Sequence, residues 1–146
     1  MPTAAKLVAG VVFAALGYAI FVSMVTVYAD DRVPEYLLPL CLVAGLIVGW
    51  QICGKNALGL MSGVGNGYTA IVAQVFVILF VLSYITMLQR SLRSRYDGPT
   101  DAMIDSFTLL AEYGFRFATP KIGMIIAVGG FVGGALAGIA GRRFPH

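Results

Sequence analysis

Residues 7–29 carry no charged side chain, and that run limits what the chain can become. At about 1.5 Å per residue, a helix over it reaches about 34 Å, enough for a hydrocarbon core about 30 Å thick. A soluble domain would have to wrap such a run in polar surface. This chain has little to wrap it with: 59% of its 146 residues are hydrophobic and 12% are charged, where a soluble domain carries about 25% charge. Lipid is the solvent that suits most of these side chains. The expectation is an all-α polytopic membrane bundle, one domain over residues 1–146, with no soluble module.

The remaining runs follow by the same argument. A secretory signal peptide is the competing reading of the first one, since Lys6 precedes it and Val27-Tyr28-Ala29 resembles a cleavage site. The run outlasts the usual apolar region of about 7–15 residues, so it is read as a retained span. Asp30, Asp31, Arg32, Pro34 and Glu35 then form a charged turn, because unpaired carboxylates do not sit in lipid and Pro34 interrupts a continuous helix. A second span is expected over residues 36–53, with Pro39 in its first turn, where a missing N–H costs little. Residues 54–67 hold Lys55 and a run of glycines that includes Gly59, Gly63 and Gly67 at four-residue spacing. Two readings stay open there: a flexible loop, or a third helix that starts near Ala57, capped by Asn56, with a glycine face. The third span is expected over residues 68–88 and the fourth over 122–140.

Arg90, Arg93 and Arg95 follow the third span, and Tyr96-Asp97-Gly98-Pro99 is a turn signal. Residues 101–117 are amphipathic. Met103, Ile104, Phe107, Leu110, Ala111 and Gly114 share one face, and Asp101, Asp105, Thr108, Glu112 and Arg116 the other. Those charges forbid a span. The segment is expected to be a surface helix with its apolar face packed on the end of the bundle; its acidic polar face does not favour anionic lipid.

The net charge of +3 does not point to nucleic acid, because the basic residues sit at the ends of apolar runs and not along one stripe. They fit headgroup anchoring. With four spans, the side holding Lys6, Lys55, Arg142 and Arg143 has no acid. The opposite side holds Arg32, Arg90, Arg93, Arg95, Arg116 and Lys121 with every acidic residue. Counting bases alone favours the second side as cytoplasmic; its excess of acid argues for cytoplasmic termini, which is the expectation adopted.

Glycine is the most distinctive feature. Gly130, Gly134 and Gly138 form one small-xxx-small ridge in the last run; Gly129 and Gly133, continued by Ala137 and Gly141, form a second; Gly45 and Gly49 form a third. Such ridges let backbones approach where lipid supplies no hydrophobic drive between helices. They serve either packing within one bundle or docking to a second copy or a larger membrane complex. Tyr28, Tyr36, Trp50, Tyr68 and Tyr84 are read as an aromatic belt at the span ends. Gln74 is the deepest polar residue, expected to bond a neighbouring helix.

Little here points to catalysis. Gly63-Val64-Gly65-Asn66-Gly67 lacks the strand and βαβ unit of a dinucleotide site. One histidine, His146, supports neither a metal cluster nor a triad. Cys41 and Cys53 are about 18 Å apart along one helix, too far to pair. The chain is read as no enzyme, with no cofactor and no metal. A membrane oxidoreductase built on Cys53 would need an exposed, activated thiol. Arg90, Arg93 and Arg95 are candidates for oxyanion or headgroup contact, since guanidinium suits such groups.

The opening Met1-Pro2-Thr3-Ala4-Ala5-Lys6-Leu7-Val8-Ala9, the central Arg95-Tyr96-Asp97-Gly98-Pro99 and Ala111-Glu112-Tyr113-Gly114, and the closing Arg142-Arg143-Phe144 resemble, in order and spacing, the TrgA family. These are tellurite-resistance-associated inner-membrane proteins of alphaproteobacteria. The resemblance implies a multi-pass bacterial inner-membrane protein linked to tellurite tolerance, and it transfers no catalytic residue. Lys55 departs from the more arginine-rich link expected of the family. Two functions follow as expectations: a non-enzymatic accessory protein that associates with itself or with a larger complex in the bilayer, and a small oxyanion transporter or efflux component.

Overall fold

The computed structural model describes residues 4–28, 32–53, 60–93 and 97–143. Arg95, Asp30, Asp31, Lys55, Asn56, Ala57, Gly59, Tyr96, Phe144 and His146, all singled out above, lie outside the described residues. The chain is an all-helical bundle: α1 (Ala4–Val27), α2 (Leu37–Val48), a π-helical turn (Gly49–Cys53) that continues α2, α3 (Leu60–Leu92), α4 (Pro99–Phe117) and α5 (Pro120–Arg143). Three helical stretches are long and apolar enough to cross a membrane: Lys6–Val27, Met61–Leu92 and Pro120–Arg143. The segment Leu37–Cys53 is apolar but shorter.

Prolines set several of the boundaries. Pro99 and Pro120 are the first residues of α4 and α5, where the missing N–H is one no helix would use and φ is already helical. The break between these helices is short. Thr119 N donates to Phe117 O at 2.8 Å across Ala118, whose φ of −73° and ψ of 58° make an inverse γ-turn. Thr119, preceding Pro120, is steered away from helical backbone, and Thr119 O then accepts from Gly123 N at 3.0 Å to open α5.

The glycine-rich link resolves toward the helical alternative from Leu60 onward. Gly63, Gly65 and Gly67 all lie within α3. A glycine in mid-helix costs about 0.5–1 kcal/mol relative to alanine. Irregular backbone facing lipid would cost more, because its N–H and C=O groups would have no partners.

Helix directions follow from the contacts. Gly17, Phe13 and Ala9 of α1 meet Cys41, Gly45 and Gly49 in reverse order, so α1 and α2 are antiparallel. Gly63 and Gly67 of α3 meet Gly134 and Gly130 of α5 in reverse order; this pair is antiparallel too. Leu16 and Phe13 of α1 line Gly129 and Gly133 of α5, and the ring of Tyr28, at the end of α1, lies tilted against that of Phe117 just before α5. Thus α1 and α3 run one way, α2 and α5 the other. The core holds Phe13, Ile20, Met24, Leu37, Ile71 and Ile78.

At about 1.5 Å per residue the 33 residues of α3 reach about 50 Å, well beyond a hydrocarbon core. Its first half packs on α5 and its second half on α4. The face that α4 turns to the bundle differs from the expected one. Leu109 and Phe117 are buried, while Met103, Ile104, Phe107 and Phe115 stay exposed. The inward stripe is Ala102, Ser106, Leu109, Tyr113 and Phe117, and the most apolar stripe points outward. The reason is physical: beside a bilayer an apolar face has two possible neighbours, protein and lipid, and sequence pattern does not say which one it meets.

Candidate functional site at the helix seams and the α3–α4 junction

The singled-out glycines sit where backbones touch. A Cβ on Gly45 would strike the Phe13 carbonyl, and one on Gly49 would lie 2.6 Å from Ala9 O. On α5, a Cβ at Gly134 would strike Gly63 O, one at Gly130 would lie 2.6 Å from the Tyr68 ring, and Gly138 Cα is 2.9 Å from where a Gly63 Cβ would stand. The second ridge is filled from the other side: Gly129 and Gly133 face Leu16 and Phe13. Both glycine faces of α5 therefore find their neighbours inside this chain, one in α3 and one in α1. Of the two readings of these ridges, packing within one bundle accounts for both faces. Gly17 was not anticipated. The residues four positions to either side of it are Phe13 and Phe21, so no small-xxx-small pattern marks it.

Tyr68 is also more than a belt residue. Because α3 starts at Leu60, Tyr68 lies about 12 Å inside the helix. Its ring fits over Gly130 and its hydroxyl donates to Ala127 O at 2.9 Å. Gln74 is fully buried where α3 meets the α1–α2 crossing. Its Nε2 donates to Phe13 O at 3.3 Å, as expected of a deep amide, and its Oε1 has no hydrogen-bond partner among the described residues.

Polar chemistry gathers at the opposite end of α3. Arg90 Nη1 donates to both carboxylate oxygens of Asp105, at 3.4 and 3.2 Å. The ends of that pair are about one-third exposed, and such partly hydrated pairs are worth only about 0–1 kcal/mol. One turn back along α3, the Thr86 hydroxyl bonds the Tyr113 hydroxyl at 3.2 Å. Tyr36 joins this cluster. Its hydroxyl is hydrogen-bonded with that of Thr86. Arg116 lies 5.3 Å above the Tyr28 ring, and Tyr113 stacks on Phe117. Sequence spacing had put Asp105 on the solvent side; it is the partner of Arg90 instead. Arg93 is exposed just past α3 and does not join the pair.

Other candidate chemistries find less. Cys41 and Cys53 are both free and buried, which removes the exposed thiol that a redox role for Cys53 required. Among the described residues no group of three His, Cys, Asp or Glu is placed to hold a metal ion. A groove of about 180 Å³ lies between α3 and α4, lined by Phe80, Tyr84 and Met87 on one side and Met103, Phe107 and Leu110 on the other. Comparison of the chain with family models, with curated proteins and with solved structures returns no match.

Proposed function

We propose that this is a non-enzymatic multi-pass protein of the bacterial inner membrane, associated with tellurite tolerance, that acts through association within the bilayer, with itself or with a larger complex. The tellurite link rests on the resemblance of residues 1–9, 95–99, 111–114 and 142–144 to the TrgA family. The observation that carries the non-transport part is the interior. Its buried polar side chains among the described residues are Ser23, Gln74 and Ser83, and the seams around them are closed by glycine against backbone. An oxyanion crossing such a bundle would lose its hydration and meet few donors in exchange.

The glycine ridges act inside the chain in this reading, so association with other proteins falls to the outer surface. The exposed stripe Met124, Val128 and Phe131 on α5 supplies large apolar side chains of the kind enriched at interface cores. The oxyanion-transporter alternative draws on Arg90, but Asp105 already occupies that guanidinium and would compete with an anion.

The deciding measurement uses the full chain in proteoliposomes, together with cells lacking and regaining it. The expected result is restored growth on tellurite with tellurite flux equal in loaded and empty vesicles. Flux that depends on the protein would replace this proposal with the transporter, and growth indifferent to the protein would remove the tellurite link.

A further inference from the structure

We propose that the outward face of α4, with the groove it forms against α3, is a phospholipid-binding surface that seats this charged helix in the boundary between headgroups and acyl chains. The inference rests on the reading of α1, α3 and α5 as membrane-crossing helices.

Around its axis α4 divides into three sectors. One meets the bundle through Ala102, Ser106, Leu109, Tyr113 and Phe117. A second carries Asp101, Thr108 and Glu112. The third carries Met103, Ile104, Phe107 and Phe115, and there Phe107 is 65% and Phe115 85% exposed. A helix packed on protein through one sector has no further use for an apolar third, unless that sector also leaves water. Exposed apolar patches of this kind mark an interaction surface.

Three observations identify the occupant as lipid. The α4 face is continuous, across the groove, with the exposed stripe of α3 at four-residue spacing: Phe76, Phe80, Tyr84 and Leu88. That stripe belongs to one of the three helices long and apolar enough to cross a bilayer, so the lipid-facing surface runs on to α4 without a polar break. Apart from Ser83 and Ser106, the groove's lining, Phe80, Tyr84, Met87, Met103, Phe107 and Leu110, is of side chains that suit an acyl chain, and methionine adapts to such a flexible occupant. Finally, only Ala118 and Thr119 separate α4 from α5. The start of a crossing helix holds α4 at the bilayer surface, where an apolar sector can enter the acyl region while the charged sector remains hydrated.

The chain has one tryptophan, Trp50, which makes the test direct. On a Trp50→Phe background, single tryptophans are introduced by Phe107→Trp and Phe115→Trp on the outward face, Glu112→Trp on the charged face and Phe76→Trp on the α3 stripe. Each full-length variant, checked for helical content and monodispersity, is reconstituted into phosphatidylcholine vesicles whose acyl chains are brominated near the glycerol end. The two outward-face probes should lose fluorescence to bromine to an extent comparable with the Phe76→Trp probe and be shielded from aqueous iodide, while the Glu112→Trp probe shows the reverse. Quenching of both outward-face probes by iodide and not bromine would place the face in water and overturn the proposal. Quenching by neither would mean that protein, a second copy included, covers it, and would overturn the proposal as well. Because Phe107 and Phe115 share the face, either variant suffices if the other does not fold. A Phe76→Trp probe quenched by iodide and not by bromine would instead show that the membrane-crossing reading itself fails, and the seating of α4 with it.

Discussion

At the scale of single residues, neighbouring glycines of α3 do opposite things. Gly67 stands against α5 so closely that a Cβ would strike Gly130 O, while two positions earlier Gly65 faces open space. Gly67→Ala should therefore lower stability by about 1–3 kcal/mol, the usual range for forcing extra volume into a packed seam. Gly65→Ala should raise it by about 0.5–1 kcal/mol, by removing glycine's entropy cost in a helix. Unfolding midpoints of the two variants in mild detergent check this; equal effects would show that the α3–α5 seam is not where backbones touch. Gln74 poses the converse case of a polar group in an apolar place. Its bond to Phe13 O contributes about 0.6 kcal/mol on the average for such bonds in membrane proteins. Leaving Oε1 without a partner costs about 1–3 kcal/mol. Gln74→Leu, close in volume, is thus expected to leave stability unchanged or raise it. A marked loss in the same unfolding assay would show that the amide holds α1 and α2 together more firmly than one bond allows.

At the scale of elements, what the sequence reveals depends on whether a helix has a polar side. The faces of α1 cannot be told apart by composition: Phe13, Ile20 and Met24 are buried, and Val11, Tyr18 and Val22 exposed, yet both sets are apolar because both neighbours, protein and lipid, are apolar. Its existence as a helix is legible from the charge-free run, but its orientation is not. The charge pattern of α4 does reveal a helix and a polar face. It does not reveal the inward stripe, since that stripe includes Ser106 and Tyr113 and leaves out Phe107. The same limit hid the Arg90–Asp105 pair, which depends on how two separate helices cross. Substitutions along α4 separate the two apolar stripes. Leu109, 2% exposed, should cost about 2–5 kcal/mol when replaced by alanine, as core leucines do. Phe107→Ala, on the outward face, should change the unfolding midpoint in detergent little, although the side chain removed is larger. The reverse order would restore the simpler picture, in which α4 packs its most apolar face inward.

At the scale of the whole molecule, direction does more than length to count the crossings. Leu37–Cys53 is too short to be recognised as a span beside the three longer helices; at about 1.5 Å per residue its length is about 25 Å, near the lower limit for a transmembrane helix. Yet α1 and α3 run the same way, so if both cross, the chain between them must return through the bilayer. The segment that can bring it back is α2 with its π-helical turn, which lies antiparallel along α1 through the glycine contacts of Gly17, Gly45 and Gly49. Local thinning of the bilayer accommodates such a short stretch at modest cost. Four crossings put the start of α1 and the end of α5 on one side, away from the end where Glu35, Asp101, Asp105 and Glu112 gather around α4. With the acid-rich end outside, reporters that fluoresce only in the cytoplasm should be bright when fused before α1 and after α5 and dark when inserted between α3 and α4. Bright signal at one terminus alone would contradict the return through α2. Dark termini with a bright α3–α4 insertion would keep the four crossings and invert the protein in the membrane, giving the six bases of that end more weight than its acids.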